Sequence, residues 1–163
     1  MRFRRGRADA AGGRRWGGGA NDPHSRTAIG DTDATLVIEP IDALDVPTNL
    51  LPTTTEVARF LERAGHPSVR MLHDAYHAAR AGGDPVKEVS AVIDLVAHVQ
   101  YADCPGPGAP GTDDVDLWRL VDRLAADACD GAIGLEHDPG GGTAASLGFL
   151  AGAPPTAPLP ERP

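Results

Sequence analysis

Short apolar runs rich in β-branched residues alternate along the chain with segments whose apolar positions recur every three to four residues. The first run, residues 35–39, stops at Pro40 and predicts a strand. From Thr53 and Thr54 onward, the spacing of Val57, Phe60 and Leu61 predicts a helix that closes at Gly65. Residues 68–73 predict a second strand. Asp84-Pro85 then places an N-capping residue before a proline at the first helical position, and Val89, Val92, Ile93 and Val96 extend that helix as one apolar stripe. Residues 98–102 predict a third strand. Beyond a Pro/Gly loop, Asp116 caps a helix with Leu117, Leu120, Val121 and Leu124 on one face. Residues 131–136 predict a fourth strand, and residues 144–147 begin a short last helix.

Four successive βα units define an α/β fold with a parallel sheet and right-handed crossovers. An open doubly wound sheet and part of a barrel both satisfy that pattern. No GxGxxG or GxxxxGK[ST] follows any strand, so the nucleotide-binding versions lack their phosphate loops. A length of 163 residues allows one ordinary domain. Residues 1–33 are Arg/Gly-rich without helical or strand period, and 151–163 are Pro-rich, which predicts a disordered arm and tail around a folded unit at 34–150.

Charge narrows the partners. Residues 1–30 carry seven Arg against Asp9 and Asp22, whereas 31–163 carry 8 Lys+Arg against 21 Asp+Glu, a net of −13. That unit repels phosphate backbones, which argues against nucleic acid as substrate. Cys104 and Cys129 stand alone without a Cys/His cluster, so a disulfide framework or structural zinc site lacks its residues and a reducing cytoplasm is expected. No run approaches a membrane span, and AGGRRWGGG after the basic start is no signal-peptide apolar region, so neither membrane insertion nor export is expected.

Glu39, Asp74, Gln100 and Glu136 fall at or near the C-terminal ends of the four predicted strands, at intervals of 35, 26 and 36 residues. In a parallel barrel those ends open onto one face, where active sites are built from several strands. Three carboxylates and an amide meeting there repel one another unless a cation joins them, and an oxygen-rich set suits Mg²⁺ or Mn²⁺. Taken singly, each acid also serves as an ordinary N-cap for the next helix.

The residues around these four carry a resemblance. Glu39-Pro40-Ile41, His73-Asp74-Ala75-Tyr76-His77, His98-Val99-Gln100-Tyr101-Ala102-Asp103-Cys104-Pro105-Gly106, Pro110-Gly111-Thr112 and Glu136-His137-Asp138-Pro139 resemble the hydroxypyruvate isomerases within the xylose isomerase-like TIM barrels. The match runs from about residue 36 to 150 and corresponds to the second half of a (β/α)8 barrel.

The resemblance implies that Glu39, Asp74, Gln100 and Glu136 are the metal ligands. It also makes Glu39 and Glu136 a catalytic proton-transfer pair and turns His77 toward the oxygens of a small hydroxy-oxo acid or sugar substrate. The implied reaction interconverts hydroxypyruvate and tartronate semialdehyde through an enediolate, with the metal polarising the carbonyl and carboxylates moving the proton. His77 is also placed to cap the next turn, and His98 to serve as a packed core histidine. Asp103 is expected to order its Pro/Gly loop.

Two departures matter. An arginine expected after Gly106 is replaced by Pro107, and a second, expected after Glu39-Pro40-Ile41, by Leu44, where an Asn expected between them is Asp42. Both arginines would suit a substrate carboxylate. A related sugar epimerase or isomerase and a non-catalytic half-barrel therefore stand beside the isomerase. Four units also leave two unpaired strand edges and an apolar sheet face, which points to a second copy or another half-barrel as partner.

Overall fold

The computed structural model describes residues 34–129 and 131–152. Its strands β1 (Leu36–Ile38), β2 (Val69–Asp74), β3 (Val96–Tyr101) and β4 (Ile133–Leu135) form one parallel sheet in the order β1-β2-β3-β4. Between and after them lie α1 (Thr54–Ala64), α2 (Ala75–Arg80), α3 (Pro85–Ala91), α4 (Leu117–Ala126) and α5 (Thr143–Ser146). Strand order follows chain order without reversal, which is the wall of a barrel rather than a doubly wound sheet. The predicted arm at 1–33 lies outside the described residues, as does the predicted tail except Ala151 and Gly152, which end a 3₁₀ turn at Gly148–Gly152. Among the described residues no helix is long and apolar enough to cross a membrane.

Local chemistry explains the boundaries. Thr53 Oγ1 accepts from the Glu56 N–H at 3.3 Å and donates to Glu56 Oε2 at 2.9 Å, starting α1 with a reciprocal cap. Gly65 ends α1 at φ 58°, a left-handed conformation that a side chain would strain. Asp84 caps α3 through the N–H groups of Val86 and Lys87, and Pro85 occupies its first turn.

The structure departs from the sequence reading in two places. The stripe from Val89 to Val96 is not one helix: α3 ends at Ala91, Ile93–Leu95 form a 3₁₀ turn, and Val96 already opens β3. Val92 and Ile93 are successive β-branched residues, and Arg70 on β2 claims the following carbonyls, reaching Leu95 O at 3.1 Å and Val96 O at 3.3 Å. The second is α2, a helix the sequence reading did not mark, because six residues are too few to display a helical period.

The core lies between the sheet and its helices. Met71 and His73 of β2 and Val99 and Tyr101 of β3 turn to that side and pack with Val57, Leu61, Val89, Leu120 and Leu124. Each fully buried large aliphatic contributes roughly 1.5–3 kcal/mol. On the opposite face the alternation places Arg70, Leu72, Asp74, His98 and Gln100, all but Asp74 only half-buried. The expected apolar inner face is thus largely polar, because the strand positions pointing there carry charged and amide side chains.

Candidate functional site

Glu39 follows the last residue of β1, and Asp74 is the last residue of β2. Asp74 is buried, and its Oδ1 accepts the N–H groups of Tyr76 at 2.7 Å and His77 at 3.3 Å, so one residue ends the strand and caps α2. That cap fixes the first turn of α2 and brings His77 back over the strand ends. Ligand atoms of Glu39, Asp74 and His77 all lie within 4.8 Å of one another.

Gln100 lies beside Asp74 in the β2–β3 register and beside Gly134 in the β3–β4 register. A side chain at Gly134, the middle residue of β4, would meet His98 Nε2 at 3.1 Å and Gln100 Cγ at 3.4 Å, so glycine leaves room for both side chains beside β4. Glu136 continues past β4, with its N–H donating to Tyr101 O at 3.0 Å. Its side chain is exposed and stays outside the 4.8 Å group.

Electrostatics favour a cation here. Partial burial, reinforced by the negative charges of Asp74 and Glu136, pushes the Glu39 carboxyl above its ordinary range, while His77 opposes the shift. Burial likewise raises Asp74, opposed by His77 and the two N–H groups it caps. Gln100 Oε1 is buried with no hydrogen-bond partner. An orphaned amide oxygen next to crowded carboxylates fits a hard divalent ion, which takes oxygen ligands. The residues present therefore suit the group.

Around this cluster the structure reveals partners that sequence reading missed. Asp42, fully buried, approaches His77 Nδ1 through Oδ2 at 2.8 Å. Asp45 accepts from Tyr76 Oη at 2.6 Å and Arg80 Nε at 3.2 Å, tying the loop after β1 to α2. The sequence marks Asp42 only as a substitution for an expected Asn, and a contact across 35 residues leaves no local signal. A cavity of about 260 Å³ opens beside His77, bounded by Pro40, Pro52, Thr54, Gly83 and Glu88.

His98 and Asp103 sort differently. His98 is half-buried on the sheet face opposite the helices rather than packed in the core. Asp103 is fully buried and accepts the N–H groups of Cys104, Gly111, Thr112, Asp113 and Val115, which is the loop-ordering role expected of it.

A family model described as xylose isomerase-like TIM barrel matches residues 27–153. The chain belongs to that family. Similar proteins include a putative hydroxypyruvate isomerase of Streptomyces coelicolor, 43% identical over 84 residues, covering 52% of this chain and 30% of that protein. The hydroxypyruvate isomerase of Escherichia coli is 29% identical over 118 residues, covering 72% and 46%. A 2-oxo-tetronate isomerase of Cupriavidus necator is 28% identical over 116 residues, covering 71% and 45%. Among solved structures, an AP endonuclease of family 2 from Brucella melitensis superposes with a TM-score of 0.69 at 25% identity, covering 72% and 46%. The resemblance to hydroxypyruvate isomerases read from the sequence thus stands, and the chain spans about half the length of most of these relatives.

Proposed function

We propose that the strand-end cluster serves metal-assisted isomerisation of a small α-hydroxy carbonyl compound, with hydroxypyruvate and its tartronate semialdehyde isomer as the leading pair. The gathering of Glu39, Asp74 and His77 within 4.8 Å carries this reading. Glu39, Asp74, Gln100 and Glu136 would hold the ion, Mg²⁺ or Mn²⁺, whose contribution is to polarise the carbonyl and stabilise the developing oxyanion.

The chain's own groups then divide the work. Glu39, just past β1 with Oε1 3.7 Å from His77 Nε2, removes the proton beside the carbonyl. Glu136 stands on the next-but-two strand end and returns a proton to the neighbouring carbon. His77 Nε2, 3.7 Å from Glu39 Oε1, meets a substrate oxygen. The names of the curated relatives support a three- or four-carbon hydroxy-oxo acid as substrate.

A second reading, a metal-binding half-barrel without its own turnover, draws on the exposed position of Glu136 outside the tight cluster. A second copy or another half-barrel pairing with β1 and β4 would then complete the site. Mn²⁺ titration and a coupled isomerase assay on the full chain and Glu136→Gln separate the readings. The first expects metal binding in the wild type, weakened but retained through the other ligands in Glu136→Gln, and turnover in the wild type only. Turnover that survives Glu136→Gln overturns the proton-transfer role, and metal binding without turnover in either protein supports the half-barrel.

A further inference from the structure

Acidic groups crowd the strand ends. Glu39, Asp42, Asp45, Asp74 and Glu136 all lie there, so a substrate with a carboxylate of its own needs a cation besides the metal. Most described cations are committed elsewhere. Arg70 donates to the carbonyls of Leu95 and Val96 at the start of β3, Lys87 and Arg119 pair with Asp84 at 3.3 and 3.0 Å, and Arg123 pairs with Asp127. Arg59 and Arg63 are exposed on α1, beyond its first turn.

Arg80 stands apart from these. It is the last residue of α2, three positions beyond His77 and therefore on the same helix face. Its Nε donates to Asp45 Oδ1 at 3.2 Å, in the loop after β1. Burial pushes the Cys104 thiol up and the Arg80 charge opposes that shift, so the guanidinium also lies near the loop after β3. Because β2 runs between β1 and β3, a group close to both loops stands over the end of β2, where Asp74 and His77 meet.

We propose that Arg80 is a specificity-determining residue that receives the substrate's carboxylate, an inference that rests on reading the cluster as an isomerase site. Nε is taken by Asp45, while Nη1 and Nη2 have no hydrogen-bond partner among the described residues. The end of the guanidinium therefore offers two parallel N–H groups that match the two oxygens of a carboxylate. Asp45 is itself held by Tyr76 Oη at 2.6 Å, so the fork is oriented before substrate arrives and little side-chain freedom is lost on binding. In hydroxypyruvate the carboxylate is bonded directly to the carbonyl carbon, so a carbonyl at the cluster brings the carboxylate to the end of β2. The cation then comes from α2, between two loops whose residues 44 and 107 are uncharged.

Dihydroxyacetone is the neutral counterpart of hydroxypyruvate, with a hydroxymethyl group in place of the carboxylate, and the pair separates charge reading from other roles. Both partners of the Arg80–Asp45 pair are partly exposed, so losing it leaves the fold intact. In isomerase assays on the full chain with Mn²⁺, Arg80→Gln should raise KM for hydroxypyruvate about tenfold or more with kcat within about threefold. The preference for hydroxypyruvate over dihydroxyacetone in kcat/KM should fall by a similar factor. Arg80→Lys should recover only part of it, because an ammonium lacks the fork. A second readout needs no turnover: the side-chain ¹H–¹⁵N signals of Arg80, assigned by their loss in either variant, should shift with hydroxypyruvate and not with dihydroxyacetone.

Arg80 signals that ignore hydroxypyruvate overturn the proposal, whether or not the chain turns over. So does an Arg80→Gln loss equal for the two compounds, which is the result if Arg80 only braces Asp45. An inactive wild type whose Arg80 signals still answer hydroxypyruvate defeats the isomerase reading and keeps the carboxylate contact. An active wild type with silent signals does the reverse.

Discussion

The loops that leave β3 and β4 are neighbours in space but are held by different physics. After β3, Asp103 is buried completely and five backbone N–H groups converge on its two oxygens, turning residues 103–115 into a folded unit around one carboxylate. After β4, the chain is tied by Pro107 O accepting the Asp138 N–H at 2.6 Å and by a His137–Ser146 contact at 2.8 Å, with most side chains exposed. A buried carboxylate satisfied by many N–H groups fixes backbone far more firmly than a few rim contacts. The same device recurs at Asp42 after β1 and Asp74 at the end of β2, so three of the four strand ends are anchored from within and the Glu136 end is not.

The largest test removes an anchor. Asp103→Ala should leave several buried N–H donors unpaired and cost on the order of 3–5 kcal/mol, read as a lower denaturant midpoint. Asp138→Ala on the β4 side, where the backbone contact remains, should cost less than about 0.5 kcal/mol. Equal losses in the two variants would erase the distinction between the loops.

Next comes acid sensitivity on the anchored side. His73 is fully buried, its Nε2 lies 3.1 Å from Pro85 O, and burial lowers its pKa from 6.5 to about 4. The unfolded chain therefore binds a proton that the folded chain refuses, so this contribution is fully present above about 6.5 and is lost as pH falls toward 4. The shift corresponds to about 3 kcal/mol, visible as a fall in stability across that window that His73→Gln should flatten. A wild-type stability curve as flat as the variant's would contradict the assignment.

How much of this was legible follows the range of each signal. The β1, β2 and β4 segments, the helix start at Thr53, the Asp84 and Asp116 caps and the Gly65 stop are local patterns, and each element appears where the residues place it, with β1 and β4 shortened to three residues. The helix stripe through Val96 misleads because Arg70, twenty-odd residues away, holds the carbonyls of Leu95 and Val96, which belong to the turn and strand after α3. Glu39, Asp74 and Gln100 stand out by spacing alone, since a strand end is a position the sequence can mark. Asp42 and Asp45 do not, because their importance lies in partners on α2 that become neighbours only once β1 and β2 pair.

A smaller effect is expected where anchored and open ends meet. Gly134→Ala puts a methyl 3.1 Å from His98 Nε2 and 3.4 Å from Gln100 Cγ, so both side chains must give way by a few tenths of an ångström. Stability should change by less than about 1 kcal/mol, whereas Mn²⁺ affinity should fall about tenfold if Gln100 is a ligand displaced from its place. Unaltered affinity would remove Gln100 from the proposed set.

The smallest effect sharpens substrate choice on the open side. Pro107 is exposed, and it accepts the Asp138 N–H through its carbonyl, which any residue retains. Pro107→Arg should therefore leave the unfolding midpoint within about 0.5 kcal/mol of wild type. A guanidinium there pairs with both oxygens of a substrate carboxylate, and at an exposed rim such a pair is worth up to about 1 kcal/mol. The measurable outcome is a KM for hydroxypyruvate lowered by up to about fivefold, with kcat little altered and with the gain shrinking at high salt. Lys at the same position should recover less, because a point charge lacks the paired geometry. An equal or larger gain with a neutral ketose in place of the acid would show that position 107 does not read the carboxylate, and would move the substrate toward the sugars.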